Sequence, residues 1–260
     1  MTYWLDDDVL ADQYEDASTL AARRVLFERF SATERSRFEW LFDQLALPAD
    51  ADVLSLGSGP GTLWAKNADR VPDGWDVTIT DAYQGMVMDA MEALEDVDRE
   101  FNFDVVDARD VPYPADSFDA VTANHVLYHL DDADRETALD EARRVLRPGG
   151  VLYASTVGDD HLAELWDAAS AFGEPPEGPA FSLESGGDEL REAFAAVERR
   201  RFEATLAVDA PEPLVAYLLT LPAFADADGP AMERAFRDRI GDDALELTVD
   251  AGVFVATTEN

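Results

Sequence analysis

The chain contains 260 residues, 47% of them hydrophobic, which is enough to bury the core of one α/β domain carrying a modest insertion. It has no cysteine, so disulfides, thiolate nucleophiles and cysteine-ligated zinc or iron–sulfur clusters are excluded. Its 56 acidic and 20 basic residues give a formal net charge of −36, and Lys66 is the only lysine.

This charge balance predicts a halophilic protein, because a Debye length of about 3 Å in molar salt screens the repulsion between carboxylates. An ordinary acidic cytosolic enzyme is the alternative. The shortage of basic residues disfavours a nucleic-acid partner, since phosphate binding depends on clustered lysine and arginine. There is no apolar run of about 18 residues and no signal-peptide pattern at the first residues, so we expect a cytoplasmic protein with no membrane partner.

Residues 1–46 are predicted to form an N-terminal helical lid. Two helices are expected, over 18–30 and 31–46, and Ser31 with Glu34 has the pattern of a capping box that opens the second helix. Phe38, Leu41 and Leu45 lie on one apolar face of that helix.

From Asp52 onward, predicted strands and helices alternate, which is typical of parallel βαβ units with right-handed crossovers. We therefore predict an α/β fold with a doubly wound, mostly parallel seven-stranded sheet and helices on both faces, over residues 47–260. A helical insertion is expected at about 209–243, between the last two strands. The predicted strands are 53–56, 75–80, 101–106, 118–123, 151–155, 198–208 and 245–257, and the helices between them are 62–69, 84–95, 131–146 and 160–171, with 213–221 and 230–240 in the insertion.

A glycine-rich turn, Gly57 to Gly61, directly follows the first strand and opens a helix. Glycines there let the backbone approach a ligand, and free N–H groups at a helix start favour polar or anionic groups. A purely structural turn is the alternative. Thr62 stands where a dinucleotide-binding G-x-G-x-x-G pattern needs its last glycine, which disfavours a nicotinamide dehydrogenase. Asp81 ends the next strand, where a carboxylate can accept both hydroxyls of a ribose; a turn or N-cap role is its alternative.

Four segments in order resemble the class I S-adenosylmethionine-dependent methyltransferases. They are residues 53–61, residues 79–86 with Ile-Thr-Asp and Met86, residues 106–119, and residues 144–150 with the ending Arg-Pro-Gly-Gly. The resemblance covers roughly residues 50–157 and implies the Rossmann-like methyltransferase fold, an enzyme, and S-adenosyl-L-methionine as cofactor.

By that resemblance, the cofactor contacts lie in the segments that follow successive strands. Asp81 would hold the ribose hydroxyls, Asp107 with Ala108 would meet the adenine, and the segment from Asn124 would border the sulfonium methyl group. The implied cofactor-binding residues are Tyr14, Gly57, Ser58, Gly59, Gly61, Asp81, Ala82, Met86, Asp107, Ala108 and Asn124. The family usually has an acidic residue two positions before the first glycine, and this chain has Ser55 there instead.

Methyl transfer from a sulfonium is an in-line displacement, so alignment supplies much of the acceleration. If the acceptor must lose a proton, His125 and His129 are the candidate catalytic bases, because imidazole titrates near neutrality. Capping or packing roles are open for both. Tyr14 could close over the cofactor as a lid or simply pack. We expect no metal site, because His161, the third histidine, lies in another predicted element.

The insertion carries apolar and aromatic residues that could cover an acceptor pocket, or pack only as core. We therefore expect methyl transfer to an O, N or C atom of a small-molecule acceptor. The alternatives are an RNA base methyltransferase and a non-catalytic S-adenosylmethionine-binding protein. Without cysteine, thiolate-dependent cytosine methylation is excluded. The apolar set of the insertion is Leu214, Tyr217, Leu218, Leu221, Phe224 and Phe236.

Overall fold

A computed structural model describes residue 5, residues 7–15 and residues 18–260. Its centre is a seven-stranded sheet in the order β3-β2-β1-β4-β5-β7-β6. Strands β1 to β5 are parallel, and β7 runs antiparallel to both of its neighbours. The strands are β1 Asp52–Leu56, β2 Asp76–Asp81, β3 Asn102–Val105, β4 Phe118–Asn124, β5 Leu146–Val157, β6 Ala196–Val208 and β7 Leu245–Thr257.

Helices cover both faces of the sheet, as the alternation of the sequence predicts. The described helices are α1 Asp7–Gln13, α2 Ser18–Phe30, α3 Arg37–Phe42, α4 Thr62–Ala65, α5 Gln84–Leu94, α6 Asp132–Val145, α7 Ala163–Ala169, α8 Gly186–Ala193, α9 Pro211–Leu219 and α10 Gly229–Ile240. In the part of the chain with described coordinates, no helix is long and apolar enough to cross a membrane.

The central strands are apolar on both sides because helices bury both faces. Leu54 of β1 and Val121 of β4 pack with α6 and α8. Val53, the neighbour of Leu54, points to the other face and packs with α3, α4 and α5. A third cluster joins α2, α7 and the insertion helices α9 and α10 to the ends of β6 and β7. The predicted fold class, including the helical insertion between the last two strands, is confirmed.

The order of the strands determines where a ligand can bind. The chain proceeds from β1 to β2 on one side and later adds β4 on the other side of β1. A crevice therefore opens beyond the carboxyl ends of β1 and β4, at the point where the direction of winding reverses. Asp81 ends its strand at this edge, and the glycine turn and His125 directly follow theirs.

The predicted helix over 31–46 is wrong in its extent and in its cap. Ser31 forms an isolated β-bridge with Leu206, and the Ala32 N–H donates to the Thr205 carbonyl at 2.9 Å, so the chain follows β6 before it can turn helical. The helix is confined to α3. Its capping box uses Ser36 and Glu39.

Two further differences from the predicted elements come from long-range contacts. β5 begins at Leu146 rather than Val151, because Leu146 pairs with Phe118 before the register shifts. α8 was not predicted, because its sequence begins with two glycines that favour a loop. Its buried Leu190 packs in the cluster with α6, and tertiary packing outweighs the low helix propensity.

Candidate functional site

The glycine turn has a backbone that other residues adopt only with strain. Gly57, Gly59 and Gly61 have φ values of 57°, 54° and 67°, in the left-handed region. A Cβ added to Gly57 would lie 2.3 Å from the Val126 Cγ2, so a side chain there would collide with the segment after β4. Gly61 instead fits against α5, where an added Cβ would lie 3.1 Å from the Ala90 Cβ.

Ser55 lies beneath this turn and is buried. The Trp64 indole N–H donates to its Oγ at 3.0 Å, and the hydroxyls of Ser58 and Thr122 lie 2.7 and 2.9 Å from the same oxygen. The Ser55 carbonyl accepts from Thr80 Oγ1 at 2.9 Å. One residue therefore links β1 to the turn, α4, β4 and β2. The position that is usually acidic in the methyltransferases that this sequence resembles is used here to satisfy a buried indole.

Asp81, at the end of β2, is buried and accepts two backbone hydrogen bonds. Its Oδ2 accepts from the Gly59 N–H at 2.8 Å and its Oδ1 from the Tyr83 N–H at 3.0 Å. Burial raises the pKa of Asp81, and these backbone N–H groups act in the opposite direction. Each carboxylate oxygen keeps a lone pair, so the group can still accept hydroxyl hydrogen bonds.

Three rings meet above the turn. The Tyr14 hydroxyl lies 2.8 Å from His129 Nε2, and the Tyr14 ring stacks with Tyr83 at a centroid distance of 5.9 Å. Burial raises the pKa of Tyr14 to about 12, so the phenol stays protonated at neutral pH and can donate to His129. The contact joins the N-terminal region to the segment that follows β4.

Asp107 and Ala108 follow β3 and line the same cleft. The Arg109 guanidinium donates to both oxygens of Asp107, with an Nη2–Oδ2 distance of 2.6 Å, and also to Asp134. Hydrogen bonds from Arg109 lower the pKa of Asp107, which keeps this carboxylate ionised. Any contact of Asp107 with an adenine amino group would be made with Arg109 already bound.

The cleft continues into a chamber on the other side of β1. One cavity of about 890 Å³ extends from Asp81 and Asp107 to His161, Trp166 and Tyr217. The chamber is bordered by α2, the start of α3, the ends of β4 and β5, and α9. Pockets for drug-sized ligands have volumes of about 300–1,000 Å³, so this cavity has room for a nucleoside cofactor and a second small molecule.

His125 and His161 lie in the chamber, where each has one buried ring nitrogen without a hydrogen-bond partner: Nε2 of His125 and Nδ1 of His161. Burial, with the nearby charge of Arg37, holds the pKa of His125 well below its usual range and lowers that of His161 to about 3. Both imidazoles are therefore neutral at physiological pH. His125 also has a positive φ of 59°, which is unusual for a residue with a side chain. No metal-binding group of His, Asp and Glu occurs among the described residues.

Most of the predicted site residues line this one cavity: Tyr14, Gly57, Ser58, Gly59, Asp81, Ala82, Asp107, Ala108, Asn124, His125 and His129. Gly61 and Met86 do not line it. Met86 is completely buried in α5. Arg37, Tyr83 and His161 line the cavity and were not predicted as ligand-binding residues. For Tyr83 the signal is its place two residues after Asp81; for Arg37 and His161 no local signal exists.

Comparisons with known proteins agree with this geometry. Residues 53–150 match the family model described as a methyltransferase domain. A candidate methyltransferase from Bacillus halodurans has a TM-score of 0.60 at 16% identity, covering 86% of this chain and 99% of that one. An S-adenosylmethionine-dependent methyltransferase from Aquifex aeolicus has a TM-score of 0.52 at 18% identity, covering 70% and 90%.

A third structure is a complex between the Haloferax volcanii Trm112 methyltransferase activator and a candidate methyltransferase. It has a TM-score of 0.58 at 19% identity and covers 96% of each chain. No curated protein matches this sequence. Residues 53–150 therefore match a methyltransferase domain, and the chain shares the fold of these structures, which implies S-adenosylmethionine as the cofactor. The glycine cradle, which excludes a Cβ, and the carboxylate of Asp81 fit that group.

We expect Ser55→Ala to lower the free energy of unfolding by about 1–3 kcal/mol, because the Trp64 indole N–H would lose its acceptor while buried. Urea unfolding in molar KCl measures this. Ser58→Ala is the matched control, because it removes a half-buried hydroxyl from the same network and leaves the indole bonded. A Ser55→Ala protein as stable as Ser58→Ala would contradict the role of Ser55.

We expect Asp81→Asn to weaken binding of S-adenosylhomocysteine about tenfold to hundredfold, since hydrogen bonds to an ionised carboxylate are lost. In the wild type, affinity should fall as Asp81 takes up a proton on acidification. Because burial raises the pKa of Asp81, this fall should begin at a higher pH than for an exposed aspartate. Calorimetric titration at several pH values tests both points, and an identical pH profile in Asp81→Asn would refute the assignment.

Proposed function

We propose that this protein transfers the methyl group of S-adenosylmethionine to an O, N or C atom of a small-molecule acceptor. The observation that carries the proposal is the single cavity, which joins the cofactor-type cleft at Asp81 to a chamber lined by aromatic and imidazole rings. The chamber is bordered by protein on several sides, which suits a small molecule better than a folded nucleic acid.

The residues divide between two tasks. Gly57, Ser58 and Gly59 would approach the cofactor with their backbone, and Asp81 would accept its ribose hydroxyls. Ala82, Asp107 and Ala108 would lie near the adenine. We further propose that residues 1–46 act as a lid over this cleft, because Tyr14 stacks on Tyr83 and bonds His129 across it.

S-adenosylmethionine supplies an electrophilic methyl group when bound, and the protein must align an acceptor atom with it. His125 is the better candidate for taking a proton from that atom. Its Nε2 has no partner and its imidazole is neutral, whereas Nε2 of His129 is already hydrogen-bonded to Tyr14. Asn124, at the end of β4, lines the cleft beside it. His129 would then hold Tyr14 in place.

Incubation of a metabolite extract with isotope-labelled S-adenosylmethionine, followed by mass spectrometry, tests this function. We expect label in small molecules and none in total RNA. For the product found, His125→Gln should lower kcat about a hundredfold or more while cofactor affinity stays unchanged.

The wild-type kcat should stay level as the pH falls through about 6.5, because His125 remains in its base form there. A rate that declines with an ordinary histidine pKa would show that His125 is not the base. Absence of label in every fraction, with the cofactor bound, would favour a non-catalytic binding protein.

We also propose that the protein works at high salt, on the basis of its net charge of −36 and single lysine. The melting temperature should rise between 0.1 and 3 M KCl, because screening removes the repulsion among carboxylates. Thermal unfolding monitored by circular dichroism measures the change. A melting temperature that is insensitive to KCl would contradict salt adaptation.

A further inference from the structure

Arg37 is a cation inside the chamber without a counter-ion. It is the first residue of α3, lines the cavity, and is largely shielded from solvent. Its guanidinium lies over the rings of Phe27 and Phe38, at 5.6 and 5.1 Å from their centroids. Within the described residues its side chain has neither an ion pair nor a hydrogen bond.

This is unusual for an arginine of this chain. Most arginines pair with carboxylates, as Arg201 does with Asp250 and Arg147 with Asp119. Others without an acidic partner donate to the backbone, as Arg99 and Arg199 do. In a protein with 56 acidic residues, a shielded guanidinium with no acceptor retains five N–H donors for a ligand.

The groups around Arg37 are neutral. Burial lowers the pKa values of His125 and His161 and raises those of Tyr128 and Tyr217. The positive charge of Arg37 acts to lower all four pKa values. At neutral pH the two imidazoles carry no proton charge and the two phenols keep their protons. Aromatic and imidazole groups therefore face Arg37, and the carboxylates that line other parts of the cavity, such as Glu39 and Asp159, form no ion pair with it.

A second guanidinium faces the same two tyrosines. Arg23 of α2 is held by Thr220, with Nε donating to Oγ1 at 2.9 Å and Nη2 to the carbonyl at 3.1 Å. The positive charge of Arg23 also acts to lower the pKa values of Tyr128 and Tyr217. Two guanidinium groups, neither of them in an ion pair with a described residue, thus act on the same part of the chamber.

We propose that Arg37 binds a carboxylate of the methyl acceptor, so that the acceptor is an aromatic or otherwise apolar small acid. A planar carboxylate matches the fork of donors on a guanidinium, and shielding from water strengthens the contact. The apolar body of such an acid would contact Phe27, Tyr217 and Trp166. This inference rests on the proposed function and specifies its acceptor.

The methionine carboxylate of the cofactor is the other carboxylate that could reach this chamber. The arrangement favours the acceptor. The charge of Arg37 acts on His161, after β5, and on Tyr217 of α9, whereas Asp81 ends β2 on the opposite side of β1. The experiment below separates the two sources.

The test uses the full chain saturated with S-adenosylhomocysteine and calorimetric titration with matched acid and amide probes. The pairs are phenylacetate with phenylacetamide, indole-3-acetate with indole-3-acetamide, and 4-hydroxybenzoate with 4-hydroxybenzamide. We expect at least one acid to bind about tenfold or more tightly than its amide. Arg37→Met should abolish the difference and Arg37→Lys should keep part of it.

Arg234→Met is the matched control, because Arg234 is exposed on α10, away from the chamber, and the acid preference should persist in it. Equal binding of acids and amides, or binding of neither, would overturn the proposal. So would a loss of S-adenosylhomocysteine affinity in Arg37→Met, which would assign Arg37 to the cofactor. If labelled methyl groups enter only uncharged metabolites, the acid preference fails while the proposed function stands; if the wild type binds no cofactor, both fail.

Discussion

The site depends on the hydrogen bonds that meet at the side-chain oxygen of Ser55. This oxygen joins the indole of Trp64 to the hydroxyls of Ser58 and Thr122, and therefore ties two central strands to the glycine turn and to α4. Because the turn has little regular hydrogen bonding of its own, its left-handed backbone needs support from below. Asp81 gives that support from the side, through the Gly59 N–H. The same contacts that hold the turn also place a carboxylate beside it, so the shape of the cleft and its chemistry have one origin.

Charge is distributed very unevenly between the surface and the chamber. The net charge of −36 comes from an excess of carboxylates, and exposed ones form ion pairs with arginine. Salt screens these exposed groups strongly. In the chamber, the guanidinium of Arg37 has no ion pair with a described residue, and the two neutral histidines and several aromatic rings lie around it. Buried interactions are screened much less than exposed ones, so selectivity built on Arg37 would survive in the salt that the surface requires. An acidic surface and an unpaired Arg37 in the chamber are therefore compatible in one protein.

Much of the fold follows from local sequence, and the failures have identifiable causes. The strands β1, β2 and β4 are short apolar runs: a glycine turn follows β1, Asp81 ends β2 and Asn124 ends β4. The position of the cleft could therefore be predicted. The start of the helix predicted from residue 31 could not be located from sequence, because Ser31 pairs with Leu206. This is a long-range contact that no helical pattern reveals. Arg37 was hidden for the same reason. Only the folded chain brings the start of α3 beside the loop after β5, where His161 lies.

The two candidate histidines show what geometry adds to residue type. His125 and His129 are alike in sequence, since both follow β4 and both could titrate near neutrality. In the structure the Tyr14 hydroxyl is hydrogen-bonded to Nε2 of His129, and the raised pKa of Tyr14 keeps the phenol protonated. His125 instead has an unpartnered Nε2 in the chamber, next to Arg37, whose charge disfavours a second proton on the ring. Burial and the charge of Arg37 thus keep the neighbouring imidazole neutral but also weaken it as a base. A carboxylate held by Arg37 would offset part of that charge and favour proton uptake by His125, which links the choice of acceptor to the chemistry proposed for it.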